Sequence, residues 1–199
     1  MATRRNPVSG GSPLGERLAA TRALTLDLAA PLSDADAAIQ PFPDASPAKW
    51  HLAHTTWFFE TFVLRDHVAG YRRFDERFPY LFNSYYEGEG ERHPRARRGM
   101  ISRPSLDEVR DWRAYVDEVL GQALPGLSED ALALVELGIH HEQQHQELFL
   151  TDILATFAEN PLEPAYGALE AVSCHAAVGD ELGPFAVGHR AARDRVRVE

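Results

Sequence analysis

The chain has 199 residues, 44% of them hydrophobic, with a formal net charge of −10. That is enough apolar material for one good-sized domain, and the acidic balance excludes a general nucleic-acid binder, which needs a basic face. No uncharged apolar run of about 18 residues occurs, so no transmembrane helix is expected. The N-terminus lacks the apolar segment of a secretory signal, so a cytoplasmic location is expected. Cys174 is the only cysteine, which excludes an internal disulfide and a cysteine-based zinc cluster. Any metal must rest on histidine and carboxylate.

Residues 1–13, rich in Gly, Ser and Pro, read as a disordered N-terminus. A first helix is expected over about 14–30, carrying Leu18, Leu24, Leu26 and Leu28 and stopped by Pro31. Ser46-Pro47 reads as a cap followed by proline in the first helical position, opening a second helix to about Val68. Residues 70–104, punctuated by Gly70, Pro79, Gly88, Gly90, Pro94 and Gly99, read as irregular, and so long a loop points to function. Ser105 and Glu108 form a capping box that opens a third helix to about Gln122. Ser128 caps a fourth, which runs to about Glu159, roughly 45 Å at ~1.5 Å per residue. The whole reads as an all-α four-helix bundle over 14–166 with a long loop between the second and third helices. Residues 167–199 are expected to be a linker or the truncated start of a second domain.

The fourth helix carries His140-His141-Glu142-Gln143-Gln144-His145-Gln146-Glu147. His141 and His145 are four apart and share one face. Positions 134, 138, 141, 145 and 148 follow a helical stripe, so both rings are expected to point inward beside Leu134 and Leu148. Two buried imidazoles are costly unless both are satisfied, and a metal satisfies them. The second helix offers a third ring. His54 shares a stripe with Trp50 and Trp57, whereas His51 aligns with Thr55 and Phe58; spacing favours His54 as ligand and leaves His51 an orienting or structural role. His140 is rotated about 100° from His141 and is expected outside the site. Glu147 is too far round the helix to join both histidines as a ligand; it either orients an imidazole N–H or faces solvent. His141 to His145 also fits the H-E-x-x-H pattern of zinc peptidases. The extended form of that pattern fails at Leu148 and Thr151, which leaves only Glu163 or Glu170 as a downstream ligand. Arg92, His93, Arg95, Arg97 and Arg98 form a basic cluster, read either as a candidate local anion site or as a solvated charge run.

Three separated blocks resemble one family. Ser46-Pro47-Ala48-Lys49-Trp50-His51-Leu52-Ala53-His54-Thr55-Thr56-Trp57-Phe58-Phe59-Glu60-Thr61-Phe62 is similar to the second-helix signature of the sulfoxide synthases of ergothioneine biosynthesis. So are Phe82-Asn83-Ser84-Tyr85-Tyr86, followed by Arg95-Ala96-Arg97-Arg98-Gly99 and Ser102-Arg103-Pro104, and the H-x-x-x-H-x-E run from His141 to Glu147. The resemblance implies a DinB-like bundle holding one non-haem iron(II) through His54, His141 and His145, which leaves three positions open on an octahedral ion. It implies that dioxygen is used to join cysteine or γ-glutamylcysteine to the imidazole of trimethylhistidine as a sulfoxide. Gln144 is then expected beside the substrate imidazole, and Arg95 and Arg98 against the thiol's carboxylates.

Members of that family carry a second domain, resembling the formylglycine-generating enzyme, that supplies a catalytic tyrosine. Only Gly183-Pro184-Phe185-Ala186-Val187-Gly188-His189 resembles its opening, so the domain is expected to be incomplete alone and to work with a second domain, in one reading separately encoded. No catalytic acid is assigned. Two other readings use the same bundle: a stand-alone zinc-dependent thiol transferase, and a non-catalytic metal-binding module. None involves nucleic acid or a membrane.

Overall fold

The protein is seen in a computed structural model that describes residues 12–167. Of the expected disordered N-terminus, only Ser12 and Pro13 fall among them. The Ser12 hydroxyl accepts from the Gly15 amide (3.1 Å) and Pro13 is the first residue of α1 (Pro13–Ala29). The expectations for 1–11 and 168–199, including Glu170, Cys174 and the stretch from Gly183 to His189, lie outside the described residues.

A five-residue helix, α2 (Asp34–Ala38), follows, closed by reciprocal cap bonds between Ser33 and Asp36. Helix α3 (Ala48–Phe59) departs from the expected start. Pro47 is its cap residue and makes no side-chain cap bond. Ser46 is used elsewhere: its amide donates to Asp152 (2.8 Å) and its hydroxyl accepts from Arg98 (2.9 Å). Helix α3 continues into a π-helical turn at Glu60–Arg65. There Glu60 Oε1 accepts from Tyr71, the Phe74 amide and Trp112, which ties the following loop to the bundle.

The segment expected to be irregular contains α4 (Phe78–Phe82) and 3-10 turns at Glu87–Glu89 and Arg95–Met100. Tertiary packing makes α4: the Phe78 and Phe82 rings sit 4.8 and 5.6 Å from Trp112. Five residues are too few for periodicity to reveal. The Ser105–Glu108 capping box opens α5 (Leu106–Ala123), and Ser128 accepts from the Ala131 amide at the start of α6 (Glu129–Ala158). The fold is all-α, with no strand among the described residues. None of the described helices is long and apolar enough to cross a membrane.

Every residue of α3 is buried, because α6, α5, α2, α4 and α1 surround it. Both of its stripes therefore face protein, and His51 and His54 are both inside. Gly138 lets α6 come this close. A Cβ there would stand 2.4 Å from the Phe59 ring, nearer than any carbon contact tolerates.

The buried face of α6 is not the expected stripe. It runs through Val135, Ile139, Glu142, Gln146, Phe149 and Ile153, while Leu148 is 42% exposed. His141 and His145 lie along its edge. The buried face is partly polar, which hydrophobic periodicity discounts: Glu142 is held by Arg22, Arg113 and Thr25, and Gln146 donates to Thr21 and Thr25.

Candidate metal centre

The approach of α3 to α6 brings three imidazoles together. The ring centroids of His54, His141 and His145 are 5.0, 4.8 and 4.7 Å apart pairwise, and one nitrogen from each lies within 4.8 Å of the others. His140, one residue from His141, is exposed and pairs with Gln143 (3.2 Å). His51 stands beside this triangle rather than in it.

Each ring is oriented by its surroundings. His54 is stacked between Trp50 and Trp57, with centroids at 4.6 and 5.4 Å. Its Nδ1–H donates to the Phe82 carbonyl (2.6 Å), which leaves Nε2 as a lone pair. His145 Nδ1 is 2.9 Å from His51 Nδ1, and His51 Nε2 is 3.1 Å from Asp152 Oδ2. His141 has a buried Nδ1 with no partner among the described residues. Burial pushes all three rings toward the neutral form. His54 is held well below the usual histidine range by burial and then by His141, and His145 by burial and then by His54. Burial lowers His141 to about 4.

Neutral nitrogens are what a divalent ion needs, because a protonated imidazole offers no lone pair. Three converging neutral rings, two with Nδ1 already engaged and one with a buried nitrogen left unpaired, fit a first-row metal ion.

The triangle opens into a cavity of ≈ 460 Å³. Arg98 forms one wall. It is 3% exposed, lies 3.4 Å over the Trp50 ring, and donates to the hydroxyls of Ser46 and Ser84. No carboxylate pairs with it among the described residues. Burial, and then Arg95, lower it to about 9, so it remains cationic at neutral pH. Arg95 also lines the cavity but is exposed, bonded to Tyr85 and the Asp44 carbonyl. Gln144 is exposed and lines the cavity, as do Tyr85 and Tyr86.

The acidic residues around the histidines stand differently from the sequence reading. Glu147 is exposed and its side chain bonds neither histidine; its carbonyl accepts from the Thr151 hydroxyl. The carboxylate in contact with the histidine network is Asp152, reached through His51. Periodicity did not single it out, although an Asp two turns beyond His145, set among Phe149, Leu150 and Ile153, was a readable signal. Glu142, the general base of the peptidase pattern, is fully buried behind the histidines. Burial alone would raise its carboxyl, but Arg22, Arg113 and Thr25 outweigh that and hold it at about 2. It does not line the cavity and cannot reach a water there.

A protein-family model described as the DinB superfamily matches residues 17–149. No curated protein matches the chain.

Proposed function

The chain belongs to the DinB superfamily, and from that premise we propose that it is the iron-binding domain of an ergothioneine-type sulfoxide synthase. The observation that carries the reading is a buried cation, with no carboxylate partner among the described residues, on the same cavity as three neutral imidazoles. Cysteine and γ-glutamylcysteine carry both complements, a carboxylate for Arg98 and a sulfur for the metal. Arg98 is held rigid by Trp50, Ser46 and Ser84 and offers its fork as a fixed anion clamp. Arg95, at the open end, supplies a second cation for the longer γ-glutamyl chain. Gln144 presents an amide that can donate to or accept from an imidazole nitrogen.

Iron(II), when bound, supplies the redox chemistry that dioxygen requires. The overall reaction balances without another reductant. The thiol S–H and an imidazole C–H are lost, a C–S bond forms, and one dioxygen provides the sulfoxide oxygen and one water. Oxygen consumed should therefore equal sulfoxide formed. Three imidazoles with open positions also suit zinc, which favours a second reading, a zinc-dependent thiol transferase.

Natively purified protein should bind one equivalent of iron(II) anaerobically. With a separately supplied second domain of the sulfoxide-synthase type, it should consume oxygen only when thiol and trimethylhistidine are present. Unchanged iron stoichiometry in His141→Ala would remove the metal site. Bound zinc with thiol transfer and no oxygen uptake would select the transferase. Metal binding with neither activity would leave a non-catalytic module.

A further inference from the structure

Asp152, His51 and His145 form a hydrogen-bonded line that ends at the three-ring cluster, and its direction follows from its far end. We propose that Asp152, acting through His51, is a positioning residue that locks the tautomer of His145 and turns its Nε2 lone pair toward the metal. This rests on the metal reading above and adds two residues that hold no metal themselves.

A carboxylate only accepts hydrogen bonds. Asp152 Oδ2 takes the Ser46 amide hydrogen at 2.8 Å and lies 3.1 Å from His51 Nε2. The hydrogen between them is therefore carried by His51 Nε2. A neutral imidazole protonated there has its lone pair on Nδ1, and that atom is 2.9 Å from His145 Nδ1. His145 must donate across this contact, so its hydrogen is on Nδ1 and its remaining lone pair is on Nε2. The opposite arrangement would set a bare His51 Nε2 against a carboxylate oxygen, two lone pairs facing each other.

The mechanics support the same assignment. Asp152 and His145 are two turns apart on α6, and His51, on α3, bridges them. His51 is 3% exposed and Asp152 9% exposed, so solvent does not readily substitute for either bond. His54 reaches the same state by another route, through the Phe82 carbonyl. Carboxylate partners of ligating histidines fix ring orientation in this way; here a second histidine carries the effect one residue further.

The test uses the full, metal-free, ¹⁵N-labelled chain. Long-range ¹H–¹⁵N spectra should show His145 protonated on Nδ1 and His51 on Nε2. Asp152→Leu, which removes the acceptor, should mix the tautomers of both rings and weaken cobalt(II) binding about 10–100-fold. Asp152→Asn keeps an amide oxygen that can accept from His51, so it should retain the His145 tautomer and most of the affinity. A purely structural role for Asp152 would not move the tautomer. The proposal is overturned if wild-type His145 carries its hydrogen on Nε2, or if Asp152→Leu keeps both the tautomers and the cobalt affinity. The wild-type spectrum decides even if that variant does not fold. Wild-type protein that binds no cobalt(II) would defeat the metal reading separately, because the tautomer pattern is read without metal.

Discussion

Alanine at Gly138 and alanine at Gly121 should move stability in opposite directions. Both glycines lie in helices, and in both the methyl group relieves the conformational freedom of glycine, worth about 0.5–1 kcal/mol. Nothing stands within 4 Å of a Cβ at Gly121, so that variant keeps the whole gain. At Gly138 the new carbon would meet Phe59 at 2.4 and 2.7 Å and Phe58 at 3.1 Å. Carbon contacts settle near 3.5–4.0 Å, so α6 or the ring must move by about 1 Å. Phe59 is fully buried and Phe58 nearly so, which leaves little room to yield. Overpacking of this kind costs about 1–3 kcal/mol, which should separate the two variants by that amount. In a chain of this size the gap is roughly 2–12 °C in Tm. Helix α6 carries His141 and His145 and α3 carries His54, so Gly138→Ala should also weaken metal binding, whereas Gly121→Ala should not. Calorimetry of the metal-free proteins followed by cobalt(II) titration reads both effects. If Gly138→Ala proves as stable as Gly121→Ala, the close approach of α3 and α6 is not what that glycine serves.

Three further outcomes follow from the same geometry. Glu142→Gln leaves Arg22 and Arg113 buried with much of their countercharge gone, and should lower the urea-unfolding free energy by about 3–5 kcal/mol; a loss below 1 kcal/mol would mean the cluster contributes little. A divalent ion at a hundred times its Kd should add about 2.7 kcal/mol to stability, seen as a thermal shift that His141→Ala abolishes. Arg98→Leu should weaken cysteine binding to the metal-loaded protein about 10–150-fold, the range of a charged hydrogen bond, while leaving cysteamine, which lacks the carboxylate, unaffected. Equal losses for both thiols would make Arg98 structural.

The connections show where local chemistry sufficed and where it did not. Ser105 with Glu108, Ser128 and the prolines placed the ends of the long helices to within a residue or two, because caps are bonds between near neighbours in the chain. Ser46 misled for the same reason: its motif is that of a cap, yet its amide and hydroxyl are engaged by Asp152 and Arg98, more than fifty residues away. Helix α4 escaped notice because its stability comes from Trp112 rather than from its own five residues.

By itself, the sequence determined that the protein is helical and that His141 and His145 share a helix face, since these depend on spacing and capping alone; that His54 rather than His51 joins their cluster needed the packing, because both sides of α3 are buried. Only the tertiary structure decided which side of α6 is core, because Glu142 and Gln146 are buried by partners on other helices. It also decided that Asp152 rather than Glu147 addresses the histidines, and that Arg98 alone of the basic cluster is buried. Spacing along a chain reports which residues share a face. What that face meets is set by the opposite wall, whose distant residues are brought there only by the packing of the bundle.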